Sequence, residues 1–235
     1  DMASKIYGYK CTSKDEHPTE RHVGKSAVLG LGFQCGPDRF QSQFVPDQSV
    51  EFCETIVQTY RKEFAPMVPK LWYNTEETAI RAVRYGETVR CGYVSYRIED
   101  EWLLCRLPSG RDLYYHNPRT KMIEDERAPT GVKLQLQFDA WKYGQWRTVE
   151  AYGGLMVENY TQAIARDIMA DAMFRAEDAG YPVVLTVHDE LVTETPENFG
   201  SAEELEAIMS ERPEWVQRCN IPVAAEAWEG KRYRK

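Results

Sequence analysis

The sequence predicts a mixed α/β protein of the α+β type, with helices and strands segregated along the chain rather than alternating. Three observations carry this. Residues 1 to about 85 read as helical segments separated by proline or glycine. From Thr88 to about Met122 the chain switches to short β-rich runs closed by turn residues. A helical pattern near 155–179 then leads into the β-branched run Pro182–Val187.

In order, Thr19, Asp47 and Thr75 are candidate N-caps in the helical part, because short polar side chains there satisfy the first orphan N–H groups. Val89–Tyr96, Glu101–Arg106 and Arg111–Tyr115 are strand candidates, with Pro108-Ser109-Gly110 as a turn. Glu124–Gly131 reads as a loop. The helix over 155–179 has Ile164, Ile168, Met169, Ala172 and Met173 on one apolar face, and Asp171 and Arg175 as an i,i+4 surface pair. Pro182–Val187 is expected as a buried strand, and 202–219 as a polar helix. Ile221–Trp228 is expected as a last strand before the basic tail Lys231–Lys235.

Composition narrows the classes. The 235 residues are 43% hydrophobic and 28% charged, enough apolar material for a folded core. No uncharged apolar run reaches about 18 residues, so no membrane partner is expected. The opening Asp1-Met2-Ala3-Ser4-Lys5 has no basic-then-apolar leader and reads as the interior of something longer. Six scattered cysteines fit reduced thiols of a cytoplasmic protein, and the absence of a CxxC or HxxxH pair argues against structural zinc. The net charge of −8 means that any nucleic-acid contact must come from local patches.

Two phosphate-binding patterns fail on spacing. Gly24-Lys25-Ser26 would end a P-loop, but the position that needs its first glycine holds Thr19. Gly30-Leu31-Gly32 begins a dinucleotide fingerprint whose third glycine comes one residue late, at Gly36. Arg21, Lys25, Leu29 and Phe33 are more informative. At steps of four they drift only about 40° per step around a helix, so they form one stripe. Two cations followed by apolar groups suit an oligophosphate and a flat base; the same spacing fits a solvated basic face running into core packing. Gly24, Gly30 and Gly32 each lower helix propensity by roughly 1 kcal/mol, which points to close backbone approach by a partner.

Val187-His188-Asp189-Glu190-Leu191 places His-Asp-Glu at a hairpin tip between two β runs. Adjacent carboxylates repel unless a cation lies near them, and hard oxygen ligands suit Mg²⁺ together with substrate phosphates. A polar turn that merely closes the hairpin fits equally. On the preceding helix Gln162 and Arg166 share a face with Glu158 one turn earlier. An amide there serves either a base edge or solvent.

Taken in order, these three segments resemble the catalytic core of family A, DNA polymerase I-like DNA polymerases. Arg21–Phe33 resembles the fingers helix, motif B; Gln162-Ala163-Ile164-Ala165-Arg166-Asp167 resembles the palm helix; Val187-His188-Asp189-Glu190 resembles motif C. The insert with Arg106-Leu107-Pro108-Ser109-Gly110-Arg111 is similar to phage members. The resemblance implies part of a polymerase right hand: helical fingers over 1–87, a β-rich insert over 88–130, and an antiparallel-sheet palm portion over 131–235. It implies that Arg21 and Lys25 bind the triphosphate, Leu29 faces the nucleotide sugar, and Phe33 lies against the template base. Gln34 stands where the family usually has glycine. Asp189 would ligate Mg²⁺ with Glu190 in support. His188 and Gln162 would touch the primer end, with Asn159, one residue after the usual asparagine place, nearby. Arg106 and Arg111 would contact DNA.

The family's motif A precedes motif B by more than the 20 residues present here, and Asp1-Met2-Ala3-Ser4 does not match it. The implied enzyme is therefore a fragment or split subunit. It would act on primer–template DNA and dNTPs with two Mg²⁺ ions, and would need a second polypeptide carrying motif A, the thumb and any exonuclease domain. A non-catalytic DNA-binding or assembly subunit is the competing expectation. A metal-dependent nuclease is a weaker one, since it needs a second carboxylate cluster.

Overall fold

The computed structural model describes residues 1–11, 15–126, 128 and 130–233. Arg127, Pro129, Arg234 and Lys235, from the expected loop and basic tail, lie outside the described residues. The chain divides into two units. Unit 1 comprises residues 1–105 and 113–160, and unit 2 comprises 106–112 and 161–235.

Unit 1 begins with helices α1 (Met2–Tyr7), α2 (Pro18–Leu31), α3 (Pro37–Phe44) and α4 (Val50–Thr59). A π-helical turn, Tyr60–Phe64, continues α4, and α5 (Met67–Tyr85) follows. The expected N-caps Thr19, Asp47 and Thr75 do not cap. Asp1 caps α1 by accepting from the Ser4 N–H at 2.9 Å, and Ser49 caps α4 by accepting from the Phe52 N–H at 3.2 Å. Helix α2 instead starts on Pro18, whose missing N–H would have been an orphan anyway. Thr75 is fully buried in the middle of α5. Val23, Ala27 and Leu31 of α2 pack with Met2, Phe40 and Ile56 into the helical core.

The sheet has the order β1 (Val89–Cys91), β2 (Val94–Glu99), β3 (Trp102–Arg106), β4 (Asp112–Glu124), β5 (Val132–Lys142) and β6 (Gln145–Ala151). The strand expected at Arg111–Tyr115 extends to Glu124, and β5 and β6 form a hairpin that the sequence reading left unassigned. The sheet therefore continues beyond residue 130, the boundary expected for the insert. Tyr143 (φ 53°) and Gly144 (φ 76°) close that hairpin between paired Lys142 and Gln145. Two left-handed residues in a two-residue loop make a turn whose twist matches the strands. One sheet face is core, with Tyr115, Leu136, Phe138 and Ala151 buried.

Helix α6 (Gly153–Asp178) matches its expected span to two residues and runs from unit 1 into unit 2. In unit 2, Met169, Ala172 and Ala176 of α6 are buried, as are Leu107, Tyr181 and Val216. The Asp171–Arg175 pair forms as expected. Strands β7 (Val183–Val187) and β8 (Glu190–Thr193) make a separate two-stranded sheet. β7 is not the buried strand expected, for Val184 and Leu185 are 55% and 47% exposed. The helix expected over 202–219 is two, α7 (Ala202–Ser210) and α8 (Glu214–Arg218), because Pro213 cannot continue a helix. Ile221–Trp228 forms no strand. Side chains of α7 take its N–H groups instead: Ser210 Oγ accepts from Ala225 at 3.0 Å and a Glu206 oxygen from Ala227 at 3.2 Å.

All six cysteines are free; Cys11, Cys35, Cys53 and Cys105 are buried, whereas Cys91 and Cys219 are half-buried. Burial pushes the Cys35 and Cys53 thiols up.

Candidate functional site

Unit 1 carries the α2 stripe. Val23, Ala27 and Leu31 turn to the core, which leaves Arg21, Lys25 and Leu29 on the other side, whereas Phe33, expected at the end of the same helical stripe, lies in the turn that follows because α2 ends at Leu31. Lys25 is exposed, Leu29 is 57% exposed, and Arg21 and Phe33 are half-buried. The Arg21 Nε is buried without a hydrogen-bond partner among the described residues. A buried donor left without a partner calls for an acceptor, an ordered water included. Neither Arg21 nor Lys25 makes a side-chain ion pair among the described residues, so the stripe offers two uncompensated cations.

The glycines of α2 serve a different purpose from the one expected. A Cβ on Gly24 would lie 2.7 Å from the Ala3 backbone nitrogen, and one on Gly30 would lie 2.9 Å from the Phe44 ring. The close approach is made by α1 and α3 of this chain, not by an outside partner. Gly32 keeps a helical backbone, and its carbonyl accepts from the Trp72 indole N–H at 2.7 Å.

Past the end of α2, Gln34 has φ 70°, a conformation that favours glycine. Its side-chain Oε1 accepts from the Gly154 N–H at 2.8 Å, and a Glu76 oxygen accepts from the Gly153 N–H at 3.2 Å. The first turn of α6 is thus capped from two remote elements. Glu76 is half-buried, and burial raises its carboxyl while the Gly153 N–H pulls the other way. A cavity of about 570 Å³ opens beside these groups, lined by Gln34, by Tyr73, Arg81 and Arg84 of α5, and by Lys133 of β5. Apart from Thr75, read as a candidate cap, no α5 residue stood out in the sequence, since its pattern is that of an ordinary amphipathic helix. Asn159 turns to the sheet and donates to the Tyr115 hydroxyl at 3.4 Å.

Unit 2 carries the hairpin. His188 and Asp189 form its exposed tip, and Val187 pairs with Glu190 across it. His188 has φ 55°, unusual for a residue with a Cβ; held strain of this kind concentrates at functional sites. Glu190 is half-buried and accepts from the Tyr233 hydroxyl at 2.5 Å, a bond that raises the Tyr233 phenol. Gln162 is exposed on α6.

Arg106 and Arg111 are tied within the same unit. Arg106 forks onto Asp112 at 2.7 and 2.8 Å. Arg111 donates to Asp167 at 2.7 Å and to the Ala163 carbonyl at 3.1 Å, while Ser109 Oγ donates to Asp167 at 2.5 Å. The Arg106–Arg111 turn is thereby anchored to α6, although both arginines remain about half exposed.

Among the described residues no group of three or more His, Cys, Asp and Glu side chains is arranged to hold a metal ion. Asp189 offers one exposed carboxylate, which suits an ion completed by phosphates and outside ligands. No described helix is long and apolar enough to cross a membrane.

No family model matches the chain, and no solved structure matches it significantly. Over 218 residues, 92% of this chain, it is 33% identical to a protein named DNA polymerase from Bacillus phage SP02. Those residues make up 33% of that protein, so the chain spans about a third of the length of the curated relative it matches, and over that third it is similar to a phage DNA polymerase.

Proposed function

We propose that this chain is the fingers-and-palm portion of a family A, DNA polymerase I-like enzyme, and that it works in template-directed nucleotidyl transfer. The observation that carries this reading is the outward α2 stripe, where exposed Lys25 and Leu29 follow half-buried Arg21, and neither cation has a side-chain ion pair among the described residues. The similarity to a phage DNA polymerase supports it. Residues 1–87 are the fingers, 88–130 the insert, and 131–235 the palm portion.

In this reading Arg21 and Lys25 bind the triphosphate and neutralise the departing pyrophosphate, which matters most as charge builds in the transition state. Leu29 packs on the nucleotide sugar and Phe33 on the template base. His188 and Gln162 orient the primer end; Asn159 reaches DNA only if it leaves Tyr115. Arg106 and Arg111 use their remaining N–H donors on the DNA backbone. Asp189 holds Mg²⁺, with Glu190 positioned behind it by Tyr233. When bound, such ions neutralise the attacking and leaving oxygens.

A two-ion site needs carboxylates beyond Asp189, and we assign them to a motif A segment outside these 235 residues, in the same or a second polypeptide that also carries the thumb. The exposed Val184 and Leu185 on a sheet of only two strands support such a segment packing there. The second reading is a non-catalytic DNA-binding or assembly subunit, in which His188 and Asp189 only close the hairpin between paired Val187 and Glu190.

Primer extension with the motif A segment supplied tests both. Asp189→Asn is expected to abolish extension and leave DNA affinity nearly unchanged, because duplex binding rests mostly on phosphate contacts. Wild-type turnover in Asp189→Asn overturns the motif C role. DNA binding without extension by the wild type, motif A present, favours the second reading.

A further inference from the structure

Helix α2 separates its charges by direction. Successive residues turn by about 100°, so with Arg21 at zero the buried Val23, Ala27 and Leu31 centre near about 240° and mark the core. The outward direction is the opposite one, at about 60°. Lys25 at about 40° and Leu29 at about 80° flank it, and His22 follows at about 100°. His22, Lys25 and Leu29 are all exposed, and Arg21, at the edge of this arc, is half-buried. His22 and Lys25 are three positions apart, the spacing that makes two side chains neighbours on a helix surface.

The helix keeps its acid off this arc. Glu20 is the one acidic residue of α2, and at about 260° it lies on the core side. There it accepts from the Tyr9 hydroxyl at 2.7 Å, with the His17 ring nitrogen 3.8 Å away. The bond to Tyr9 holds the Glu20 carboxyl below its usual range, so its charge stays on that flank. His22 makes no side-chain hydrogen bond or ion pair among the described residues. The outward face of α2 is thus basic and apolar, with no carboxylate of its own, in a protein of net charge −8.

We propose that His22 is a third phosphate ligand of the α2 stripe, donating a ring N–H to a phosphate oxygen beside Lys25. Imidazole suits the place because either protonation form has an N–H to donate, and the protonated form adds a positive charge. Three basic groups on one helix face, with the only acid turned away, favour an anionic occupant. The buried Arg21 Nε, without a hydrogen-bond partner among the described residues, leaves the same turn of the helix short of an acceptor. The inference rests on reading the stripe as a triphosphate site and adds a residue to it. The phosphate belongs to the nucleotide or to the neighbouring DNA backbone; the chemistry is the same, and the test tells the sources apart.

The test is calorimetric titration of the 235-residue chain with inorganic tripolyphosphate and, separately, with a primer–template duplex. His22→Ala, His22→Lys and Lys25→Ala are compared with the wild type. Alanine and lysine are better helix formers than histidine, so neither substitution at His22 is expected to unfold α2. Circular dichroism checks that. His22→Ala is expected to weaken tripolyphosphate binding by about three- to tenfold, the range for one lost hydrogen bond. His22→Lys is expected to restore it, a rescue that a merely structural histidine would not show. Where the phosphate is that of the DNA backbone, the same loss and rescue appear in duplex affinity instead.

Unchanged affinity for both probes in folded His22→Ala overturns the phosphate role of His22. If Lys25→Ala still weakens tripolyphosphate binding, the stripe stands and His22 alone is rejected. A loss in His22→Ala with none in Lys25→Ala supports His22 and rejects the triphosphate role of Lys25. A wild-type chain that binds neither probe overturns both.

Discussion

The side-chain carbonyl of Gln34 accepts a hydrogen bond from the Gly154 N–H at 2.8 Å, joining the turn after α2 to the first turn of α6 across 120 positions. The contact is tight on both sides. A Cβ on Gly154 would lie 2.5 Å from the Phe33 carbonyl oxygen. Gln34 occupies a left-handed backbone position that glycine would fill without strain, and the hydrogen bond compensates for the extra side chain.

Gln34→Ala is therefore expected to destabilise the chain by about 1–2 kcal/mol, since it keeps the backbone strain and loses the bond. Gln34→Gly loses the bond but relieves the strain, and is expected to lie within about 0.5 kcal/mol of wild type. Denaturant midpoints at constant slope decide this. Equal losses in the two variants would show that the strain contributes nothing.

Lys25→Ala is expected to lower kcat/KM for dNTP by about ten- to a hundredfold, corresponding to a charge-assisted contact of roughly 1.5–3 kcal/mol. Primer–template affinity without nucleotide should not move. Steady-state dNTP titrations with the motif A segment present measure it, and a change below twofold would sink the triphosphate role.

The 235-residue chain by itself is expected to give no primer extension in Mg²⁺, because Asp189 alone cannot complete a two-ion site. Robust extension by the pure chain would refute the need for an outside carboxylate.

Glu76→Gln addresses the other cap of α6. Burial raises the Glu76 carboxyl, so the folded chain binds that proton more tightly than the unfolded chain. The associated stability is fully present below the ordinary value of 4.5 and is lost as pH rises through the raised value. Glutamine keeps the acceptor for the Gly153 N–H and cannot ionise. The variant is expected to show a flatter fall in stability above pH 4.5, read from melting curves across pH. An unaltered profile would mean that Glu76 is not the group responsible.

His188→Gly tests the strained hairpin tip. Glycine adopts φ 55° without strain, so stability is expected to stay within about 0.5 kcal/mol of wild type or rise slightly. Primer extension is expected to fall if the imidazole orients the primer end. Full activity in a stable variant would assign His188 to turn closure alone.

The long elements were legible where a periodic pattern had a local cause. Helix α6 and the β7–β8 hairpin follow from their own apolar spacing and turn residues. Elements set by distant partners were not. Gly24 and Gly30 look like an invitation to a ligand until α1 and α3 are seen against them. The caps of α6 come from Glu76 and Gln34, which no local motif links to Gly153 and Gly154. The β5–β6 hairpin turns on Tyr143-Gly144 rather than an asparagine–glycine pair, so its punctuation is weak. Ile221–Trp228 has strand-like composition, but side chains of α7 occupy backbone donors that a ladder would need. Of the site, the stripe on α2 and the exposed Asp189 were legible from spacing, whereas the anchoring of Arg106 and Arg111 by Asp112 and Asp167 depends on side chains that spacing does not relate.

The thiol distribution makes the protein its own labelling system. Four of the six sulfurs are buried, and burial makes Cys35 and Cys53 poor thiolate formers. Cys91 and Cys219 are the half-buried pair, one in each unit. Brief treatment with a maleimide dye at neutral pH will therefore mark both units without any engineered cysteine. The extent of labelling at each then reports on the folding of its own unit separately.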